Sequence, residues 1–236
     1  FSAPSLEETL LPEGSINPEL KPETAVNLEA GIRYQSQSGN FFIDAGIYQL
    51  WINNLLVTKR ESEDVFYGDN AGKSNHRGLE ISSRFQMIPL ERKFPLSLHA
   101  NYHLIRAIFT DFVDDGQDFR NHSLPGIPRQ NMEASAHISS SFGINLELRY
   151  QWVGQQYLND ANDQSYGAYH LFHMKLAYSK KIKMMDLELA MGIRNLLDSK
   201  HASMILVNAP SFGGNLPRYY YPGMPRNYFL TISLRL

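Results

Sequence analysis

The sequence predicts an all-β chain: the C-terminal part, about nine strands, of an antiparallel transmembrane β-barrel larger than the chain itself. Three observations carry the prediction. Stretch after stretch alternates apolar and polar side chains, the links between stretches are by turns short and long, and the closing segment Tyr228 to Leu236 keeps one oily face to its last residue. Side chains on a strand point to opposite faces with period two, so strict alternation marks a two-faced wall. An apolar strand face with no polar tail after it is how outer-membrane barrels end.

Composition agrees. Aromatic residues are 12% and charged residues 19% of the 236, the latter below the roughly 25% usual in soluble domains. A net charge of −2 at pH 7 argues against nucleic acid as a partner, which would call for a basic stripe. There is no cysteine, which excludes disulfide scaffolds and thiolate metal sites and suits an exported protein. No apolar run approaches the ~18 to 20 residues of a membrane helix. Strands that show lipid only alternate residues escape that test. Phe1-Ser2-Ala3-Pro4 carries neither an initiator Met nor a signal-peptide pattern, so an internal start is expected.

The elements follow in order. Val26, Leu28, Ala30, Ile32 and Tyr34 oppose Asn27, Glu29, Gly31 and Arg33; after the hairpin signal Gln37-Ser38-Gly39-Asn40, Phe41, Ile43, Ala45 and Ile47 resume the pattern. Leu79, Ile81, Phe85 and Met87 form a third apolar face, and Leu96, Leu98, Ala100, Tyr102 and Leu104 a fourth. Met132, Ala134, Ala136 and Ile138 make the fifth, and Phe142, Ile144, Leu146, Leu148, Tyr150 and Trp152 the sixth. Phe172, Met174, Leu176 and Tyr178 come seventh, Leu187, Leu189, Met191 and Ile193 eighth, and the terminal strand ninth. Each opposite face is polar and of mixed charge. Nothing reads as helical.

Short links fall near 37–40, 88–94, 139–143 and 180–185, and long polar ones near 58–75, 113–127, 158–167 and 195–224. Antiparallel neighbours joined this way collect all tight turns at one rim and all long loops at the other, the outer-membrane arrangement of periplasmic turns and extracellular loops. A soluble β-sandwich has no reason to segregate loops so. Counting back from 195–224 makes 1–23 an extracellular loop, with 24–236 as strands, short turns and long loops. An odd set of strands that starts at the outer rim is expected to continue into further barrel strands upstream, since single-chain bacterial barrels have even counts.

Several short stretches match a known family in its order. Phe1-Ser2-Ala3-Pro4-Ser5-Leu6-Glu7-Glu8, Asn17-Pro18-Glu19-Leu20-Lys21-Pro22-Glu23, Arg77-Gly78-Leu79-Glu80, Leu124-Pro125-Gly126-Ile127-Pro128-Arg129, Ile193-Arg194-Asn195-Leu196-Leu197-Asp198 and Pro222-Gly223-Met224-Pro225-Arg226-Asn227-Tyr228-Phe229 resemble the recurring segments of TonB-dependent outer-membrane receptors. The Asn17–Glu23 stretch is the strongest match. In plain physical terms, Pro18 and Pro22 suit the approach to a strand, and Gly223 a tight return into the last one. Two departures are Leu236, where the family usually ends in Phe, and His201, where it has an aromatic.

The resemblance implies a twenty-two-stranded barrel in the bacterial outer membrane. An upstream plug domain would sit in its lumen, and the TonB energy-coupling complex would act through that plug. The partners implied are outer-membrane lipid, the plug and remaining strands, and a small-molecule metal complex as cargo, most often a ferric siderophore; no cofactor is implied. The family's haem receptors carry a His between their first two segments, and the interval Ser5 to Ile16 has none. Its glycan importers usually have Trp where this chain has Pro22.

Other candidates are weighed on their residues. His99 and His103, four apart on one strand, lie about 13 Å from each other along the chain, too far to chelate one ion. His170 and His173 fall on opposite faces. Asp114-Asp115-Gly116-Gln117-Asp118 and Asn159-Asp160-Ala161-Asn162-Asp163 look like pieces of calcium loops but lack the downstream Glu. No catalytic arrangement is present, which leaves an outer-membrane enzyme or a small autonomous barrel as alternatives, with a soluble β-sandwich binding module further off. Arg218, Tyr219, Tyr220 and Tyr221 in the last long loop are the candidate ligand contacts, able to stack on a ring and to offer a cation. The competing and stronger reading of such tyrosines is the aromatic girdle, to which Tyr34, Tyr102, Tyr150, Trp152, Tyr178 and Tyr228 are assigned.

Overall fold

The computed structural model describes residues 2–5, 9, 14, 16–60, 66–70, 72–114, 116–209, 211 and 216–235. Of the residues singled out above, Phe1, Leu6, Glu7, Glu8, Asp115 and Leu236 lie outside them. The regular elements are all strands: β1 (Thr24–Gln35), β2 (Phe41–Asn53), β3 (Leu56–Arg60), β4 (Phe66–Asn70), β5 (Lys73–Ile88), β6 (Leu96–Asp111), β7 (Val113–Asp114), β8 (Gln117–Asp118), β9 (Gln130–Ser139), β10 (Ile144–Val153), β11 (Gln156–Tyr157), β12 (Ser165–Tyr166), β13 (Tyr169–Ile182), β14 (Met185–Arg194), β15 (Ala202–Ile205), β16 (Tyr220–Pro222) and β17 (Asn227–Arg235). Among the described residues no helix is long and apolar enough to cross a membrane.

Nine of these form one antiparallel sheet in the order β1-β2-β5-β6-β9-β10-β13-β14-β17. They are the nine alternating stretches, each joined to its sequence neighbour, and β1 and β17 are the two edges. The remaining strands are four small hairpins, β3-β4, β7-β8, β11-β12 and β15-β16, each inside one of the long links. The long polar links therefore carry ladders of their own. Two of them are only two residues long per strand, too short for any period to show in sequence.

Register aligns the faces. Phe41 pairs with Phe85 and Phe85 with Leu98; Ile138 pairs with Leu146, Leu146 with Leu176, Leu176 with Met191 and Met191 with Leu230. An apolar band thus runs across all nine strands, half-buried between neighbours at the centre and most exposed on the edge strands: Leu28 65%, Ile32 72% and Leu230 70%. In water so large an apolar surface would drive association. Such a surface suits contact with lipid.

Aromatic rings border the band. At the short-turn rim, the Phe41 ring meets Tyr34 and Phe85, and the Lys93 ammonium lies over Phe94 and Phe142. At the long-loop rim, His170 stacks parallel to Trp152 and shares a 2.8 Å hydrogen bond with the Tyr150 hydroxyl. His170 is thus an outward member of the upper girdle, and His173 faces inward beside Gln151. Tyr102, one row below Leu104, sits within the band rather than at its border.

Several of the family-like stretches form joints at the long-loop rim. Ser2 and Glu23 pair through two 3.0 Å backbone bonds, and Asn70 ties the Lys21 backbone in both directions while the Glu23 carboxylate accepts the Leu56 amide. Asn195 is 2% exposed, adopts φ 52°, and its side chain bonds Ser199 on both sides and the Met224 carbonyl. Asp198 accepts the Arg226 amide at 2.7 Å, so the last two stretches are stitched to each other. Gly223 differs from its expected role. Its φ is not positive, and a Cβ there would run into the His201 ring. The glycine gives room to a ring rather than freedom to a turn.

Candidate functional site

The long loops converge above the inner face of the wall. On β6, the inward side chains Ala107 and Phe109 bury with Phe112, Phe119 and Leu124, and Leu55, Val57, Ile127 and Ala161 pack on them. Burying this cluster stabilises the loop layer by the hydrophobic effect, and it anchors three long links against one strand. Polar side chains complete the anchoring. Asn162 donates to the Ser123 carbonyl and accepts the Ser123 amide, His122 donates to the Asp160 carbonyl, and Asn208 bonds both the backbone and the carboxylate of Asp160. Asn121, Asn162 and Asn208 all adopt positive φ, the left-handed region that Asn tolerates better than most residues.

The two calcium-like stretches acquire ordinary partners in this layer. Asn162 and Asp160 hold neighbouring loops, and Arg120 clasps Asp118, lowering the Asp118 pKa chiefly through that side-chain bond. Among the described residues no group of three His, Asp or Glu side chains is placed to hold a metal ion.

Beside this layer lies an aromatic cluster. The Tyr220 ring meets Tyr166 at 5.1 Å, Tyr166 meets Tyr169 at 6.1 Å, and Tyr169 meets His201 at 5.6 Å. Loss of hydration, then the nearby Tyr220, raises the Tyr166 pKa. Strand alternation separates the four predicted contacts. Tyr220 joins the cluster, Tyr221 stands exposed on the neighbouring position of β16, the Tyr219 carbonyl accepts the Leu206 amide, and Arg218 is exposed. Tyr166, Tyr169 and His201 were not singled out as ligand contacts. The only signal for His201 was its place where the family has an aromatic, and its ring fills that role against Tyr169.

Below the cluster the inner wall is wet and charged. A hollow of about 740 Å³ is lined by Asp44, Glu80, His103, Glu133, Gln151 and Tyr169, so its upper end reaches the aromatic rings. Arg33 donates to Asp44 at 2.8 Å, Arg149 meets Glu147 at 2.9 Å and Glu133 at 3.5 Å, and Lys175 meets Glu188 at 3.6 Å. His103 lies 3.6 Å from Glu80 and shares a 2.9 Å hydrogen bond with Tyr48. Exposed pairs of this kind contribute about 0–1 kcal/mol each. Their effect is to make a charge-balanced surface that water wets and lipid does not. A Cβ on Gly78 would strike the Tyr48 ring, so the glycine of the Arg77–Glu80 stretch lets that ring lie flat on the wall.

Comparison with known proteins agrees with this geometry. A family model described as TonB dependent receptor-like, beta-barrel, matches residues 1–196. A ferrioxamine receptor of Yersinia enterocolitica is 32% identical over 153 residues, 64% of this chain and 20% of that protein. The vitamin B12 transporter BtuB of Vibrio vulnificus is 27% identical over 238 residues, covering 100% of this chain and 33% of its own length. The chain thus spans a fifth to a third of these curated relatives. Among solved structures, the ferric citrate transporter FecA in its unliganded form superposes with a TM-score of 0.70 at 21% identity, over 91% of this chain and 32% of that one.

Proposed function

Since the chain belongs to the TonB-dependent receptor-like β-barrel family, we propose that it supplies wall and extracellular loops to an importer in the outer membrane of a Gram-negative bacterium. The cargo we propose is a ferric siderophore. The observation that carries the reading is the sheet's two faces: an apolar band outside and a hydrated, charge-paired wall inside, roofed on one rim by interlocked loops. A plug domain would fill the space in front of the charged inner wall, and the TonB complex would act through it. Tyr166, Tyr169 and Tyr220 overlook that space and offer ring faces, with exposed Arg218 nearby in sequence as a cation for an anionic chelate. The ferrioxamine receptor and ferric citrate transporter favour iron; the vitamin B12 transporter marks the competing cargo class.

The test is uptake by the intact receptor in a host lacking its own siderophore receptors. Iron-limited growth and radio-iron accumulation should require both this receptor and TonB, with at least one siderophore from a hydroxamate, catecholate and carboxylate panel. Tyr166→Ala with Tyr220→Ala should weaken cargo binding by about 1–3 kcal/mol, the scale of paired aromatic contacts. Cobalamin uptake with no siderophore uptake would overturn the cargo; TonB-independent uptake would overturn the mechanism.

A further inference from the structure

Several inner-wall cations meet carboxylates or aromatic rings, and the outer face carries two arginines that meet neither among the described residues. Arg77 and Arg106 sit directly opposite each other across the β5–β6 ladder, both exposed, on the face that also carries Leu79 and Leu104. Neither has an ion-pair partner among the described residues. Gln49, next in the row, directs its amide to Asn75 and the His76 carbonyl. Like charges placed directly opposite destabilise a sheet. The wall's own stability does not account for the pair.

Its height is informative. The next row toward the short turns is Ala30, Ile47, Leu79 and Leu104, all apolar, and the next toward the long loops is Val26, Trp51, Asn75 and Ile108, so the arginines stand in the upper part of the lipid-facing band, one row below Trp51. The two arginines and the apolar row below them, together with Leu28, Gln49 and a third arginine, Arg129, border a hollow of about 620 Å³. Each strand offers it two outward side chains and the backbone between them, which places the hollow on the outer face. Small Ala30 helps open it. The result is an apolar trough with two guanidinium groups on its upper lip.

We infer that this trough holds one phosphorylated glycolipid of the outer leaflet, with a phosphate clasped between Arg77 and Arg106 and acyl chain lying against Ala30, Ile47, Leu79 and Leu104. Guanidinium forks match phosphate oxygens two by two, and the shared anion turns a repulsive pair into a bridge. Acyl contact adds apolar burial below it. The inference rests on the outer-membrane reading above.

The intact receptor tests it, purified in mild detergent and titrated by native mass spectrometry with bis-phosphorylated lipid A, the same lipid after phosphatase treatment, and phosphatidylglycerol. Arg77→Gln with Arg106→Gln should bind lipid A about tenfold or more weakly than wild type, the loss expected for charge-assisted hydrogen bonds. Phosphatase treatment should lower wild-type binding to the variant's level, and Arg→Lys at both positions should restore part of it. Equal binding by wild type and the Gln variant, or phosphatidylglycerol binding as tightly as lipid A, overturns the site. Fractionation separates the two claims: a wild type found in the outer membrane with unaltered lipid binding by the variant overturns the glycolipid site alone. Absence from that fraction overturns both.

Discussion

Asn195 shows how much one side chain can hold. It is almost fully buried, left-handed in φ, and bonded to Ser199 and Met224, so it joins the end of β14 to the segment that enters β17. Asn195→Ala leaves those backbone groups short of a partner and puts a less tolerant residue at positive φ. It should destabilise the receptor by about 1–3 kcal/mol, measured as a shift in the urea midpoint with the slope unchanged. A change below about 0.5 kcal/mol would mean water replaces the side chain. The sequence shows Asn195 as a letter in a recurring stretch, and its role is invisible there because its partners include Met224, which reaches it only in the folded loop. The same holds for the aromatic site. Four adjacent residues drew notice, yet alternation along β16 sends Tyr220 alone to Tyr166.

At the scale of elements, β17 concentrates the argument about lipid. Leu230 and Thr231 are neighbours at one depth and face opposite sides, Leu230 paired with Met191 and Thr231 with Ala190. Leu230→Arg should cost about 2–4 kcal/mol in the intact receptor folded in phospholipid vesicles, as for a charge near the bilayer midplane. Thr231→Arg should cost far less, because its side chain enters the wet interior. Equal costs would contradict the assignment of faces. All nine wall strands were legible, since period two is a local property that needs no tertiary partner. Their ends were less so. β2 runs on to Asn53 and β6 to Asp111 past the last clean alternation, because toward the long loops the outward positions include Gln49 and Arg106 and the inward ones Ala107 and Phe109. Two of the four loop hairpins, β7-β8 and β11-β12, were missed for want of length.

Across the whole molecule, the sheet has two unpaired edges, β1 and β17, among the described residues. Open edges template pairing with other chains. These 236 residues expressed alone should therefore form oligomers or aggregates in detergent, read by light scattering and by the absence of a heat-modifiable monomer band. A monodisperse closed monomer would instead support a small autonomous barrel. The inner wall and outer band also differ in a way that composition averages away: the one pairs several charges across strands, the other sets two arginines directly opposite each other.

By itself the sequence determined the antiparallel wall, the face taken by each of its residues and the rim that bears the long loops. Those properties follow from local alternation and from link length, both written in consecutive residues. The tertiary structure alone decided which loop residues meet: Tyr220 with Tyr166, His201 with Tyr169, Asn208 with Asp160. Such contacts join segments from different links, and only the register of the wall beneath, together with the buried cluster around Phe109, brings those links within reach.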